Sequence, residues 1–552
     1  MRIAPEHQVV EPLINHFLGE MASADQAERE LIDRLVASES DPTMRARYAY
    51  TAALLWRDEL RRPDAALRLL WFAVDSDRRL FDARAELEKM LRARDAWQAL
   101  AGLYGKMLTR PDADAAVAGG ADRDDHEDRE RERDRREQLR LWAALGELCW
   151  ERLGRRDDAI TALAVACRLA PDDEEMLRQL AERCEQAGLD YSDRAIACHH
   201  ELLRRNRRRL SSYRALVRLY ARAGMERHAR AVNEALAFAS MSADSSSRPR
   251  PRQTDLGLGG RAIAPETWTA LLHPDEDHLV GALAALLAPT IAAASAQRRK
   301  RAVAQLRAEP LPEGAVAERV LARIAASLGV EPPETLACTE ARFPLEVRVL
   351  SENGGARPVL LLGGSLLQGI GERALAFHLG RALASLRGGG LLRWVMPQPE
   401  KLGLLVDAAV AMASGTDVPA GSALAATVRS LERALSPVQR VQLIVLGQRL
   451  ARRSLPGGAA ARAWMHAHDL SLDRVGLVAC GDLSTALQIV GDDAPSSGHA
   501  PLAVRELEMV WSSASPEVLD ARADVEEWPE SAAVAIGASG AAELPFRRAG
   551  AS

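Results

Sequence analysis

Histidine, aspartate and arginine gather at short spacing in a few stretches of this 552-residue chain, and those stretches bound the chemistry open to it. Ala374-Leu-Ala-Phe-His-Leu-Gly-Arg-Ala-Leu-Ala-Ser385 reads as an apolar helix carrying one imidazole, His378. A zinc site on a helix needs a second imidazole one turn on, and Ala382 stands there instead. His466-Ala-His468-Asp469 offers two imidazoles and a carboxylate. Residues two apart on a helix point roughly opposite ways, so these do not form a ligand set by themselves. His199-His200 lies inside a helical pattern and reads as covering its surface. Leu361-Leu-Gly-Gly-Ser365 invites comparison with a nucleotide loop, but no lysine follows, so the glycines read as a turn after a strand. Arg204-Arg-Asn-Arg-Arg-Arg209 could hold an anion or a phosphate backbone. It lacks an aromatic platform and falls where one helix ends, where basic side chains are favoured anyway.

The first stretch resembles the active-site helix of HtpX-like gluzincin peptidases, the family that includes the CAAX prenyl endopeptidases and writes roughly E-L-A-x-x-L-A-H-E-L-G-H there. In that register the two zinc-binding histidines become Arg381 and Ser385, and the general-base glutamate becomes Ala382. A guanidinium does not bind zinc, and a methyl group neither polarises water nor takes its proton. Downstream, Asp469-Leu-Ser-Leu-Asp473-Arg-Val-Gly476 resembles the family's E-x-x-A-D-R-x-G helix. Asp473, Arg474 and Gly476 match, while the third-ligand position holds Asp469, one methylene too short. Upstream, Leu345–Leu350 alternates and Pro358–Leu367 runs apolar, as strands ahead of that helix would. The resemblance spans roughly Ile263 to Val490. It implies an α+β, mostly helical domain with a small sheet that kept a shape and lost a reaction. Arg381, Ala382, Ser385 and Asp469 are vestigial positions on this reading; no catalytic residue, metal or cofactor is expected.

The N-terminal half supplies helices in pairs. Trp150, Gly154, Ala159, Leu163, Ala166 and Pro171 fall at the spacing of a tetratricopeptide repeat, and Trp142, Leu145 and Gly146 resemble its W-x-x-L-G, displaced by one residue. A second unit runs through Leu180, Ala181, Cys184, Gly188 and Ala195, and a third through Tyr213, Leu216, Tyr220, Gly224 and Ala229. Weaker pairs cover Tyr48 to Asp77 and Ala83 to Met107. Small residues let two helices approach, and one pair cannot bury its apolar stripe alone, so several stack into an array. The resemblance to tetratricopeptide scaffolds implies a groove that binds a protein or peptide.

Composition fits this picture. Hydrophobic residues make up 47% and charged residues 27%, and the net charge is −5, so global electrostatics point to neither nucleic acid nor membrane. The six cysteines form no C-x-x-C pair and read as buried thiols of a reducing compartment. The N-terminus lacks the apolar core of a signal peptide, and a cytoplasmic protein is expected. Leu279 to Ala296 is apolar enough to raise a membrane span, but it is mostly alanine and leucine and contains Pro289, so it reads as a buried helix.

The chain is therefore expected to be mainly α. Residues 1–240 form a repeat solenoid, and 241–262, rich in Ser, Pro, Arg and Gly, a flexible linker. Residues 263–492 form the peptidase-like domain, and 493–552 a loose tail with one helix from Pro501 to Ser512. Asp112 to Gln138, mixed in sign, reads as a loop leading into an exposed helix start. Three functions follow. The favoured one is a non-catalytic protein–protein interaction scaffold. The others are a zinc peptidase with ligands such as His378, His466 and His468, and a nucleic-acid or regulatory adaptor acting through Arg204 to Arg209.

Overall fold

The structure is a computed structural model that describes residue 34 and residues 41–108, 125–241, 262–352, 355–416, 418–453, 455–493 and 500–525. The expected linker, apart from its two end residues, lies outside the described residues, as do 526–552 and the first part of the charge-rich stretch. The chain is mainly helical with one small mixed sheet, and it divides into two units, up to Cys198 and from His199 onward.

The first unit is a succession of helices: α1 (Pro42–Asp58), α2 (Pro63–Ser76), α3 (Phe81–Ala93), α4 (Trp97–Leu108), α5 (Asp125–Glu151), α6 (Arg156–Leu169) and α7 (Glu174–Ala187). Each packs on the next in sequence. Their starts are written locally: Asp41 caps α1 with Pro42 at its first position, and Asp173 caps α7 through the Met176 amide. Ala159, Leu163 and Ala166 are all buried in α6. Helix α8 (Ser192–Arg205) runs across the division between the units.

The second unit begins with α9 (Leu210–Arg222) and α10 (Glu226–Ala239), which pack on each other. There follow α11 (Pro265–Leu271), α12 (His278–Ser295), β1 (Gln297–Arg298), α13 (Arg299–Leu306), β2 (Glu309–Pro310) and α14 (Val316–Leu328). Strands β3 (Glu334–Cys338), β4 (Leu345–Glu352) and β5 (Gly355–Gly363) complete a sheet of order β1-β4-β5-β3-β2. The β4–β5 pair is an antiparallel hairpin with Leu345 opposite Leu362, whereas β1–β4 and β3–β5 are parallel. In β4, Leu345, Val347 and Val349 face the core and Glu346 and Arg348 alternate outward, the period of a half-buried strand.

A short turn of helix, α15 (Gly364–Leu367), leads to α16 (Glu372–Ser385) and α17 (Leu391–Val395). Next come α18 (Pro399–Ser414), α19 (Ala423–Ala434), α20 (Pro437–Ala451) and the long α21 (Gly457–Cys480). The unit closes with α22 (Leu483–Asp492), α23 (Leu502–Ser513) and α24 (Pro516–Val525). Helices α12, α18, α20 and α21 share one apolar core that includes Leu283, Leu405, Leu443 and Trp464. Helix α12 is long and apolar enough to cross a membrane, yet seven of its side chains are buried within the unit.

Two expectations change here. Among the described residues, the stretch after Gly491 holds two helices rather than one, and both are buried against the unit: α23 and α24 pack on α21 and on α10. His199 and His200 do not cover a surface; both are buried, with His199 Nδ1 3.2 Å from Ser212 Oγ and His200 Nε2 2.7 Å from Tyr220 Oη. Their polar atoms find partners one helix later, which a sequence pattern does not reveal.

Candidate functional site

Helices α16 and α21 pack closely on each other, and glycine makes the approach possible. A Cβ on Gly380 would lie 2.7 Å from Ala479 Cβ, and one on Gly476 would lie 2.9 Å from Arg381 Cγ and from the Phe377 ring. The glycine of the Asp-Arg-x-Gly stretch thus lets the two helices bring Arg381 against Asp473. Alongside them lies a cavity of about 360 Å³. Its walls come from His378, Arg381 and Ala382 of α16, Asp469 and Leu472 of α21, Arg393 and Trp394 of α17, and Leu345 and Glu346 of β4. Asp493 and Arg505 complete it.

Four positions singled out in the sequence meet at this place, and each is chemically committed. Arg381 Nε sits 3.1 Å from Asp473 Oδ1, and its Nη1 donates to Asp493 Oδ2 at 3.0 Å. Ala382 is fully buried and presents a methyl group to the wall. Ser385 Oγ donates to the Ala382 carbonyl at 2.6 Å and accepts from Trp394 Nε1 at 2.7 Å. Asp469, 1% exposed, is gripped by Arg393 through Nε at 3.0 Å and Nη2 at 3.3 Å.

The network extends through Arg505, which clasps Asp473 with two bonds of 2.7 and 2.9 Å and reaches Asp493 at 2.9 Å. Burial works against the charge on Arg505, but Asp473 and Asp493 outweigh it and hold the guanidinium above its ordinary pKa. Burial likewise opposes ionisation of Asp493, and Arg381 with Arg505 overcomes it, leaving the carboxyl below its usual range. His378 goes the other way: burial, helped by the nearby Arg381 charge, pulls its pKa down to about 4, so the ring is neutral at physiological pH. The site therefore offers paired charges and a neutral imidazole, with its arginines already engaged by carboxylates. Those are means of holding helices and shaping a recess.

The other histidines do not converge on it as metal ligands. His468 Nδ1 lies 3.0 Å from Glu276 Oε1, and its ring stacks on Trp464 with centroids 4.9 Å apart. Glu276 also accepts from Ser471 Oγ. Among the described residues, no three His, Cys, Asp or Glu side chains come together as a metal-binding group. The arginine cluster is dispersed in direction: Arg204 and Arg205 pair with Glu201, and Arg207 turns inward to Glu508 and stacks over Trp511 at 4.9 Å. Arg474 is buried, donating to Ser512 Oγ at 3.1 Å and to the Leu272 carbonyl at 3.2 Å. It fastens α21 to α23 and to the end of α11.

Sequence reasoning missed Arg393, Asp493 and Arg505. Each pairs with a residue 12 to 112 positions away, and no spacing rule links such partners. No protein-family model matches this chain, and no curated protein matches it.

Proposed function

We propose that this protein is a non-catalytic interaction scaffold, in which helical repeats bind a protein or peptide and a peptidase-like domain serves as a second binding or structural module. The observation that carries the reading is the chemical state of the recess between α16 and α21. At the positions equivalent to two histidines, a glutamate and a third ligand in HtpX-like peptidases stand Arg381, Ala382, Ser385 and Asp469. Arg381, at one of those positions, is tied to two aspartates and supplies fixed charge rather than a metal ligand. Ser385 is spent on Trp394 and the Ala382 carbonyl, and Asp469 on Arg393.

What such a recess retains is shape. One wall is the start of β4, whose outer neighbour β1 pairs only with Leu350 and Ser351, so Leu345–Val349 has no strand partner on that side among the described residues. An extended peptide segment could lie along it, with one side chain entering the cavity. The adaptor reading through Arg204 to Arg209 is weaker, because Glu201 and Glu508 already neutralise much of that cluster.

Elemental analysis of the purified, untagged protein, run beside a casein hydrolysis assay, tests the proposal. Zinc near zero with no hydrolysis supports it. One tightly bound zinc per chain, or hydrolysis abolished by a chelator, overturns it.

A further inference from the structure

The feature of this unit that neither the repeats nor the recess uses is the outer face of α20. Its inner face, Leu443, Gly447 and Leu450, is buried in the core shared with α12, α18 and α21. Its outer face carries Val438, Val441 and Val445, which are 68%, 61% and 44% exposed. A helix apolar on both sides is normally buried on both. Valine is also a poor choice for a solvated helix position, because its branched Cβ loses rotamer freedom there. Three such residues on one face cost helix stability and recover it only when covered.

Their spacing says how they would be covered. Val438, Val441, Val445, Gln448 and Arg452 follow one another by three and four residues, the seam along which a second helix packs. The charge says by what. Residues 423–453 contain six arginines and one acid, Glu432. Arg449 and Arg452, exposed at the end of the seam, have no ion-pair partner among the described residues. A second copy of this chain would bring more arginine to the same place. A lipid surface would call for bulkier Trp, Phe or Leu side chains on the apolar face.

We propose that this face of α20 docks an amphipathic helix of a partner protein whose apolar stripe covers the three valines and whose carboxylates meet Arg449 and Arg452. The proposal is independent of the recess and of its vestigial positions.

The test uses the full chain and a fluorescein-labelled synthetic peptide of about 20 residues, long enough to be helical, with leucines three and four apart flanked by glutamates. The expected result is saturable binding, weakened about tenfold or more by Val441→Glu and by Arg449→Glu with Arg452→Glu, and weakened by added salt. Both sites are exposed, and an unchanged melting temperature verifies that the variants fold. The idea is overturned by no binding, by equal binding of a lysine-for-glutamate peptide, or by binding indifferent to Val441→Glu. Dimerisation of the wild type that Val441→Glu abolishes would assign the face to a second copy instead. Valine-dependent binding to phosphatidylserine vesicles would assign it to a membrane.

Discussion

Replacing Arg505 with methionine isolates the contribution of the ion network. Arg505 and Asp473 are each 4% exposed at the side chain, and Arg505 supplies both bonds of a bidentate clasp at 2.7 and 2.9 Å plus one to Asp493 at 2.9 Å. Methionine keeps most of the volume and apolar stem but leaves two carboxylates facing one remaining guanidinium, Arg381, 3.1 and 3.0 Å away. Removing one partner of a buried pair costs about 3–5 kcal/mol. Arg381 still compensates part of the charge and Asp493 is 26% exposed, so the lower end applies, about 3 kcal/mol. Urea unfolding followed by tryptophan fluorescence measures it. A double-mutant cycle with Asp473→Asn should give a coupling of about 1–3 kcal/mol. The pH dependence follows from sign. Asp493 titrates below its unfolded value, so its contribution is present above that value and is lost as pH falls through the folded one. Arg505→Met should therefore show a smaller loss between about pH 5 and 3 than the wild type. A cost under about 1 kcal/mol, or additive single and double variants, would refute the claim that these helices are held by buried charge.

Three other outcomes are expected. Burial pulls His200 down to about 3 and His378 to about 4, so both stay neutral in the fold while the unfolded chain protonates near pH 6.5. Stability should be flat above that pH and fall from about pH 6.5 toward 4, and His200→Gln should flatten the fall; a urea midpoint unchanged between pH 7 and 5 would contradict this. Gly380→Ala gains about 1 kcal/mol of helix propensity but forces a contact 2.7 Å from Ala479 Cβ, for a net loss of about 1–2 kcal/mol by thermal melting. Grafting Arg381→His, Ala382→Glu, Ser385→His and Asp469→Glu together should create a site that takes up zinc, read by elemental analysis against the wild type. A folded graft that binds none would refute the register of the peptidase resemblance.

Much of the architecture could be read along the chain because its signals are local. The spacing of apolar residues predicts helices over 402–413, 422–435 and 437–453, and the structure has Pro399–Ser414, Ala423–Ala434 and Pro437–Ala451. Ser422 and Ser436 cap the latter two, the second in a full capping box with Gln439 and with Pro437 at the first position. Alternation in Leu345–Leu350 marks β4 in the same way.

The burial of the last helices and the make-up of the site depended on tertiary structure. Helix α23 buries Arg505, Glu508, Ser512 and Ser513, a polar set that composition alone reads as solvated tail. Burial of such groups is favourable only where polar or charged partners wait: Arg505 finds Asp473, Glu508 an ion pair with Arg207 and Ser512 the Arg474 guanidinium, brought in from 32, 301 and 38 residues away. The same holds at the recess. By itself the sequence determined that Arg381, Ala382, Ser385 and Asp469 cannot assemble a zinc peptidase's chemistry. That the arginine would be held by Asp473 and Asp493, Asp469 by Arg393, and the whole built around a cavity, only the packing of α16 on α21 decided. The ability to bind a metal is a property of side-chain chemistry, legible one residue at a time, whereas the pairing of charges depends on distances that exist only after the chain has folded.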